Sequence, residues 1–242
     1  MRIITARDYN DMCRKGAAIL AAEILRKENA ILGLATGSTV MGLYENLINW
    51  HKNGDLNFSG ITTFNLDEYL GLSPTDPQSY RYYMDHNFFN HININKANTH
   101  VPDGLAQDGE KECERYENAI NLSGGLDIQL LGLGHNGHIG FNEPSSYFTV
   151  TTNCVTLKDS TRKANKRFFQ EGENVPEKAL TMGIGTIMKA HRILLCVNGH
   201  QKAEILKKVI YGPVCPQVPG SILQLHPMVT LVADEEALHL CP

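Results

Sequence analysis

No stretch of this chain is apolar for long enough to cross a bilayer. The N-terminus, Met1-Arg2-Ile3-Ile4-Thr5-Ala6-Arg7-Asp8, also lacks the long apolar core of a signal peptide. There is no long basic or acidic run, and net charge over 242 residues is only -4. Nucleic-acid binding through phosphate neutralisation is therefore disfavoured, which leaves room for no more than a local basic pocket. The six cysteines, Cys13, Cys113, Cys154, Cys196, Cys215 and Cys241, are scattered, with no C-x-x-C pair and no metal-ligand rhythm. They read as reduced thiols of a cytoplasmic protein, and Cys196, inside an apolar run, reads as a buried small hydrophobe. Ten histidines invite a metal, yet no H-E-x-x-H occurs. His135 and His138 lack the neighbouring Cys or acidic spacing of a zinc site, so no metal is expected.

Apolar content is 42% and charged content 20%, as in a soluble globular protein long enough for one large core or two modest ones. Apolar runs alternate with amphipathic stretches. Met12, Ile19, Leu20 and Ile24 have helical spacing within residues 8 to 27. Strands are predicted over 30–35, 61–66, 126–133, 192–197 and 229–233. Helices are predicted after Thr36-Gly37-Ser38-Thr39, with Val40, Met41, Leu43, Tyr44, Leu47 and Ile48 facing inward, and over 109–121, 161–169 and 200–209. Over 109–121, Cys113, Tyr116 and Ile120 share one side. This alternation predicts a three-layer α/β fold, Rossmann-like in a modified form. Its sheet would be mainly parallel, with helices on both faces joined by right-handed crossovers. Without repeats, low-complexity tracts or linkers, residues 1–242 read as a single catalytic domain. Residues 145–188 form a less regular, lid-like excursion over the site, with Gly172, Gly183 and Gly185 as bending points.

Four segments can carry chemistry. After the strand 126–133, Gly134-His135-Asn136-Gly137-His138-Ile139-Gly140-Phe141-Asn142-Glu143-Pro144 opens a glycine-rich loop with His138 and Glu143 together at a strand end. Histidine has the ordinary pKa closest to neutrality and suits proton transfer. In Thr36-Gly37-Ser38-Thr39, a glycine turn before a helix exposes N–H groups, and two hydroxyls can also donate to an anion. That suits phosphate, although a helix N-cap is the commoner role of Ser or Thr there and the nucleotide-binding loop pattern is absent. In Phe64-Asn65-Leu66-Asp67-Glu68-Tyr69, two acids end an apolar strand and point to opposite faces, with Asp67 taken as the inward one. Finally, Arg167 lies on a cationic helical stretch, ordinarily a solvated face, and Lys202 follows the strand 192–197. In a parallel sheet such strand ends share one edge, so the anion seat, Asp67, His138 and Lys202 would converge there.

Together these segments resemble the glucosamine-6-phosphate deaminase family. The resemblance runs through Leu34–Thr39, Phe64–Tyr69, Gly137–Pro144, Ala164–Phe169, Gln201-Lys202-Ala203 and Leu223-Gln224-Leu225-His226-Pro227, in the family's order and over nearly the whole chain. It implies conversion of glucosamine 6-phosphate and water to fructose 6-phosphate and ammonium, with no metal and no organic cofactor. It implies Asp67 as the base at C2, His138 as the group that assists ring opening with Glu143 behind it, and Gly37, Ser38, Thr39, Arg167 and Lys202 around the phosphate. Two departures matter. Some members carry Asp where this chain has Asn136, which can orient His138 but cannot supply negative charge. Allosteric members use basic residues after the Glu-Pro motif and a C-terminal extension; here residues 144–157 contain no Lys or Arg and the chain stops at Pro242. An enzyme without that activation is expected, and a monomer is allowed. Two rivals remain: a 6-phosphogluconolactonase-like hydrolase, disfavoured by Phe141-Asn142-Glu143-Pro144, and a sugar-phosphate-sensing module. The latter would want a DNA-binding segment and could dispense with Asp67, His138 and Glu143.

Overall fold

A computed structural model describes residues 1–158 and 175–242, together with Arg162, Lys166 and Phe169. The chain begins with a strand, β1 (Arg2–Ala6), and a helix, α1 (Tyr9–Arg26). The Asp8 side chain accepts the Asp11 N–H to start α1, and Met12, Cys13, Ala17, Leu20, Ala21 and Ile24 are all buried. Each large apolar side chain so covered contributes about 1.5–3 kcal/mol. There follow β2 (Ile31–Leu34), α2 (Ser38–Lys52), β3 (Thr62–Asn65), β4 (Asp67–Tyr69), α3 (Tyr80–Asn87), β5 (Thr99–His100), α4 (Gly109–Leu122) and β6 (Ile128–Leu131). The last third holds β7 (Asn153–Thr156), β8 (Lys178–Thr181), α5 (Ile184–Met188), β9 (Arg192–Val197), α6 (Ala203–Tyr211), β10 (Val229–Asp234) and α7 (Glu235–Leu238).

Seven strands form one sheet in the order β1-β10-β9-β6-β2-β3-β5. Every pairing in it is parallel. The chain travels one way across the sheet as far as β5, then returns through β6, β9 and β10. Right-handed crossovers therefore put α1 and α2 on one face and α4 and α6 on the other. The packing of α1 on α2, β9 and β10, and of α6 on α7, fits that division. The direction reverses between β2 and β6, which are neighbours. Their carboxyl ends mark the crevice where open α/β sheets hold ligands.

The three-layer expectation is met, and its differences are local. The strand expected over 61–66 ends at Asn65. The Leu66 N–H still donates to the Leu34 carbonyl at 2.9 Å. Asp67 then leaves the main sheet and pairs with Thr181 in a second, antiparallel sheet ordered β4-β8-β7. Met41, expected inward, is 37% exposed, while the other five named α2 residues are buried. The expected helix at 200 opens as a 3-10 turn, His200–Lys202, before α6. Most of the expected helix 161–169, Arg167 included, lies outside the described residues, as does Gly172. Gly183 and Gly185 pack closely against residues 150–151. A Cβ on them would stand 2.3 Å from the Thr151 carbonyl and 2.4 Å from that of Val150, so both allow close backbone packing. All six cysteines are free, and Cys196 is fully buried.

Candidate active site

The strand ends of β2, β3, β6 and β9 lie side by side, and each delivers one part of the site. After β6, Gly134 turns the chain into the His138 loop. A Cβ on Gly134 would stand 2.2 Å from the His138 ring, so only glycine lets the imidazole lie flat over this turn. His138 Nδ1 is 2.6 Å from Asn136 Oδ1, and Asn136 Nδ2 donates to Glu143 Oε2 at 2.9 Å. A carboxylate only accepts, which fixes the amide orientation. The amide oxygen then faces Nδ1, which must carry the proton. Among the described residues Nε2 has no hydrogen bond, so its lone pair is available.

The loop thus holds a one-directional chain, donating from His138 to Asn136 to Glu143, with a neutral amide in the middle. Burial lowers the His138 pKa from 6.5 to about 4; the Glu143 charge opposes this, and Lys202 and His135 add to it. The near-neutral pKa expected from composition is therefore overturned. Enough protein packs around the ring to disfavour the imidazolium, and the working form is neutral imidazole.

Asp67 reaches the same place from β3. Burial, and to a lesser extent the neighbouring Glu68, raises its carboxyl from 3.8 to about 8. No described residue hydrogen-bonds to this carboxylate, so nothing offsets the desolvation. Glu68 shows the contrast. Its carboxylate accepts N–H groups of Tyr69, Tyr80 and Arg81 and the Ser79 hydroxyl, at 2.8–2.9 Å. It is occupied in starting α3, and the expected opposite placement of the two acids holds.

The second sheet joins the two halves. The Phe141 N–H donates to Thr181 Oγ1 at 3.1 Å, Asn142 Nδ2 donates to the Met182 carbonyl at 2.8 Å, and the Met182 N–H donates to the Leu66 carbonyl at 2.8 Å. A Cβ at Gly140, two residues beyond His138, would stand 3.7 Å from Asp67 Oδ2. Asp67 and the His138 loop therefore meet at Gly140. Thr181, Met182 and Asn142 were missed from sequence. The apolar stretch Ala179-Leu180-Thr181-Met182 was the available signal for a short strand.

Ser38 and Thr39 open α2, whose N-cap is Gly37 at φ +99° with no side-chain cap. That conformation favours glycine. The N-cap alternative for Ser38 and Thr39 is thereby removed, and the first N–H groups of α2 are left for another acceptor. After β9, Lys202 Nζ donates to the Leu133 carbonyl at 2.6 Å, beside the His138 loop. The structure so gathers Gly37, Ser38, Thr39, Asp67, Asn136, His138, Glu143 and Lys202 on neighbouring strand ends. Arg167 is outside the described residues. Among those described, no group of three His, Cys, Asp or Glu side chains is placed to hold a metal.

Known proteins resemble the whole chain. The family described as glucosamine-6-phosphate isomerases/6-phosphogluconolactonase matches residues 7–231. A glucosamine-6-phosphate deaminase of Thermoanaerobacter pseudethanolicus is 52% identical over 100% of this chain and 96% of its own length. One of Lachnoclostridium phytofermentans is 55% identical over 96% of this chain and 98% of its own. The solved structure of a monomeric glucosamine-6-phosphate deaminase superposes with a TM-score of 0.96 at 47% identity, over 99% of this chain and 100% of that one. A 6-phosphogluconolactonase from Trypanosoma cruzi, at TM-score 0.79 and 18% identity over 99% and 96%, shares the fold alone. No described helix is long and apolar enough to cross a membrane. By profile, identity and fold together, this chain belongs to the glucosamine-6-phosphate isomerase/6-phosphogluconolactonase family.

Proposed function

We infer that this protein is a glucosamine-6-phosphate deaminase, converting glucosamine 6-phosphate and water to fructose 6-phosphate and ammonium. The observation that carries the reading is the junction of Asp67 with the His138 loop, 3.7 Å from Asp67 Oδ2 to the Cβ position of Gly140. A base and a proton carrier at one junction suit adjacent carbons of one sugar. His138 Nε2 takes the proton of the C1 hydroxyl and returns it to the ring oxygen. That opens the ring and frees the aldehyde. Asn136 and Glu143 hold the imidazole in the tautomer this needs. Asp67 then removes the C2 proton. Its carboxyl near 8 falls when the substrate's C2 ammonium arrives, because an opposite charge favours the ionised form. The double bond moves between C1 and C2, a proton returns to C1, and water adds to the C2 imine, releasing ammonium.

The phosphate sits against the N–H groups that open α2, the Ser38 and Thr39 hydroxyls, Lys202 and Arg167. This remote binding positions C1 and C2. Every step moves protons or water and none moves electrons to an acceptor, so no redox cofactor is required; that neither metal nor organic cofactor takes part is what the family resemblance implies. Residues 144–157, without Lys or Arg, offer nothing to hold an anionic activator. The protein acts as an unactivated monomer in the cytoplasm, where phosphorylated sugars are retained. Residues 1–242 act as one catalytic domain, in which the excursion 145–188 covers the ligand. Ammonium release from glucosamine 6-phosphate, with chelator present and lactone hydrolysis run beside it, tests the reading. Ammonium without lactonase activity is expected, and the reverse overturns it. A hyperbolic rate curve unaffected by N-acetylglucosamine 6-phosphate is expected for the unactivated enzyme.

A further inference from the structure

The backbone carbonyls of the anion seat are held from behind by four hydroxyl or thiol donors. Tyr44 donates to the Ala35 carbonyl at 2.6 Å, Tyr83 of α3 to that of Gly37 at 2.9 Å, and Tyr9 of α1 to that of Ser38 at 2.8 Å. The Cys13 thiol, also on α1, lies 3.7 Å from the Thr39 carbonyl. Tyr9 does more. Its hydroxyl also accepts the Gly42 N–H at 3.0 Å. In a regular helix the N–H of residue 42 donates directly to the carbonyl of residue 38. The Tyr9 hydroxyl contacts both of those groups and so braces the first turn of α2 from the side. Gly42 makes the room: a Cβ there would stand 3.0 Å from Cys13 Sγ, 3.2 Å from Tyr9 Oη and 3.3 Å from Tyr9 Cε1.

We propose that Tyr9, assisted by Tyr83, is a positioning residue for phosphate: it fixes the carbonyls of the turn 37–39 away from the ligand, so that the N–H groups of the turn are presented to the phosphate dianion. A hydroxyl has one proton to donate, and Tyr9 spends it on Ser38, while Gly42 fills its acceptor side. Neither tyrosine touches the reacting carbons. Burial raises the Tyr9 phenol to about 12, so the donor is present across the working pH range. An effect on phosphate alone should be felt equally by bound substrate and transition state, and so appear in KM rather than kcat.

The proposal rests on the phosphate-binding role given to this turn, and its test separates the two. Tyr9→Phe keeps the ring and removes the hydroxyl. The expected result is a rise of about tenfold in KM for glucosamine 6-phosphate, with kcat within about twofold of the parent. The Kd of inorganic phosphate, measured by calorimetry without turnover, should rise by the same factor. Tyr83→Phe should move both quantities the same way. Gly42→Ala, which displaces Tyr9 by bulk, should imitate Tyr9→Phe. A lower melting temperature with unchanged KM and phosphate Kd would make the hydroxyl structural only and overturn the proposal, as would a fall in kcat at constant KM. Parent protein that binds phosphate but releases no ammonium sinks the deaminase reading and leaves Tyr9 testable by calorimetry; parent protein that binds no phosphate overturns the proposal itself.

Discussion

The two ends of the site are built on opposite principles. At the proton-transfer end, two titratable groups are tuned by what they are denied. Asp67, without a donor among the described residues, is held up near 8, and His138 is held down near 4. At the anion end, an open turn offers N–H groups and hydroxyls, and its carbonyls are tied back by Tyr9, Tyr44 and Tyr83. Desolvation sets reactivity at the first; presentation of donors sets affinity at the second. Substitutions at the two ends should therefore separate kcat from KM. The adjacent acids repeat the lesson within one strand. Glu68 meets four donors and serves the start of α3, while Asp67 meets none among the described residues.

The comparison can be broken most sharply at Asp67. Asp67→Asn should lower kcat by about 10³–10⁴-fold, the upper part of the range for losing a general base, while sugar-phosphate affinity stays within a few-fold. Equal losses in kcat and affinity would merge the two ends. His138→Gln should lower kcat by about 10²-fold, with the loss concentrated in consuming the closed ring form. A pre-steady-state comparison of closed and open sugar would measure it. At the other end, Lys202→Ala should raise KM by about tenfold through loss of one charge-assisted contact, with kcat nearly unchanged. The smallest effect is on stability. The folded pKa of Asp67 is raised, so its ionisation opposes folding. That cost is absent below about pH 4, grows between about 4 and 8, and is constant above. Asp67→Asn cannot ionise, so its melting temperature should exceed the parent's at pH 8 and match it at pH 4. An equal gain at both pH values would remove the desolvation argument.

The elements that sequence reveals best are those with a long period or a continuous apolar run. Residues 8–27 and 109–121 emerged as α1 and α4, and Arg192–Val197 as β9, because one or both faces are buried and the pattern says so. The second sheet was not legible. β4 and β8 have three and four residues, too few to display alternation, and β4 follows β3 after the single residue Leu66. That short break decides which sheet Asp67 joins, so the junction between Asp67 and the His138 loop depends on contacts 40 residues distant, as between Phe141 and Thr181. The placement of Asp67, the His138 loop and Lys202 on neighbouring strand ends was readable because strand ends in a parallel sheet share an edge. Protonation was not, since burial reversed the near-neutral expectation for His138. Nor were Tyr9 and Tyr83, which lie on helices whose patterns mark them as ordinary amphipathic positions.

The central claim is that Asp67 removes the C2 proton of a sugar whose phosphate is held elsewhere. Hydrogen exchange at C2 in deuterated water, followed by NMR with saturating sugar phosphate, reads that step without requiring ammonium release. Parent protein should exchange the C2 hydrogen, and Asp67→Asn, binding the same ligand, should exchange none. Exchange by Asp67→Asn at the parental rate would contradict the account.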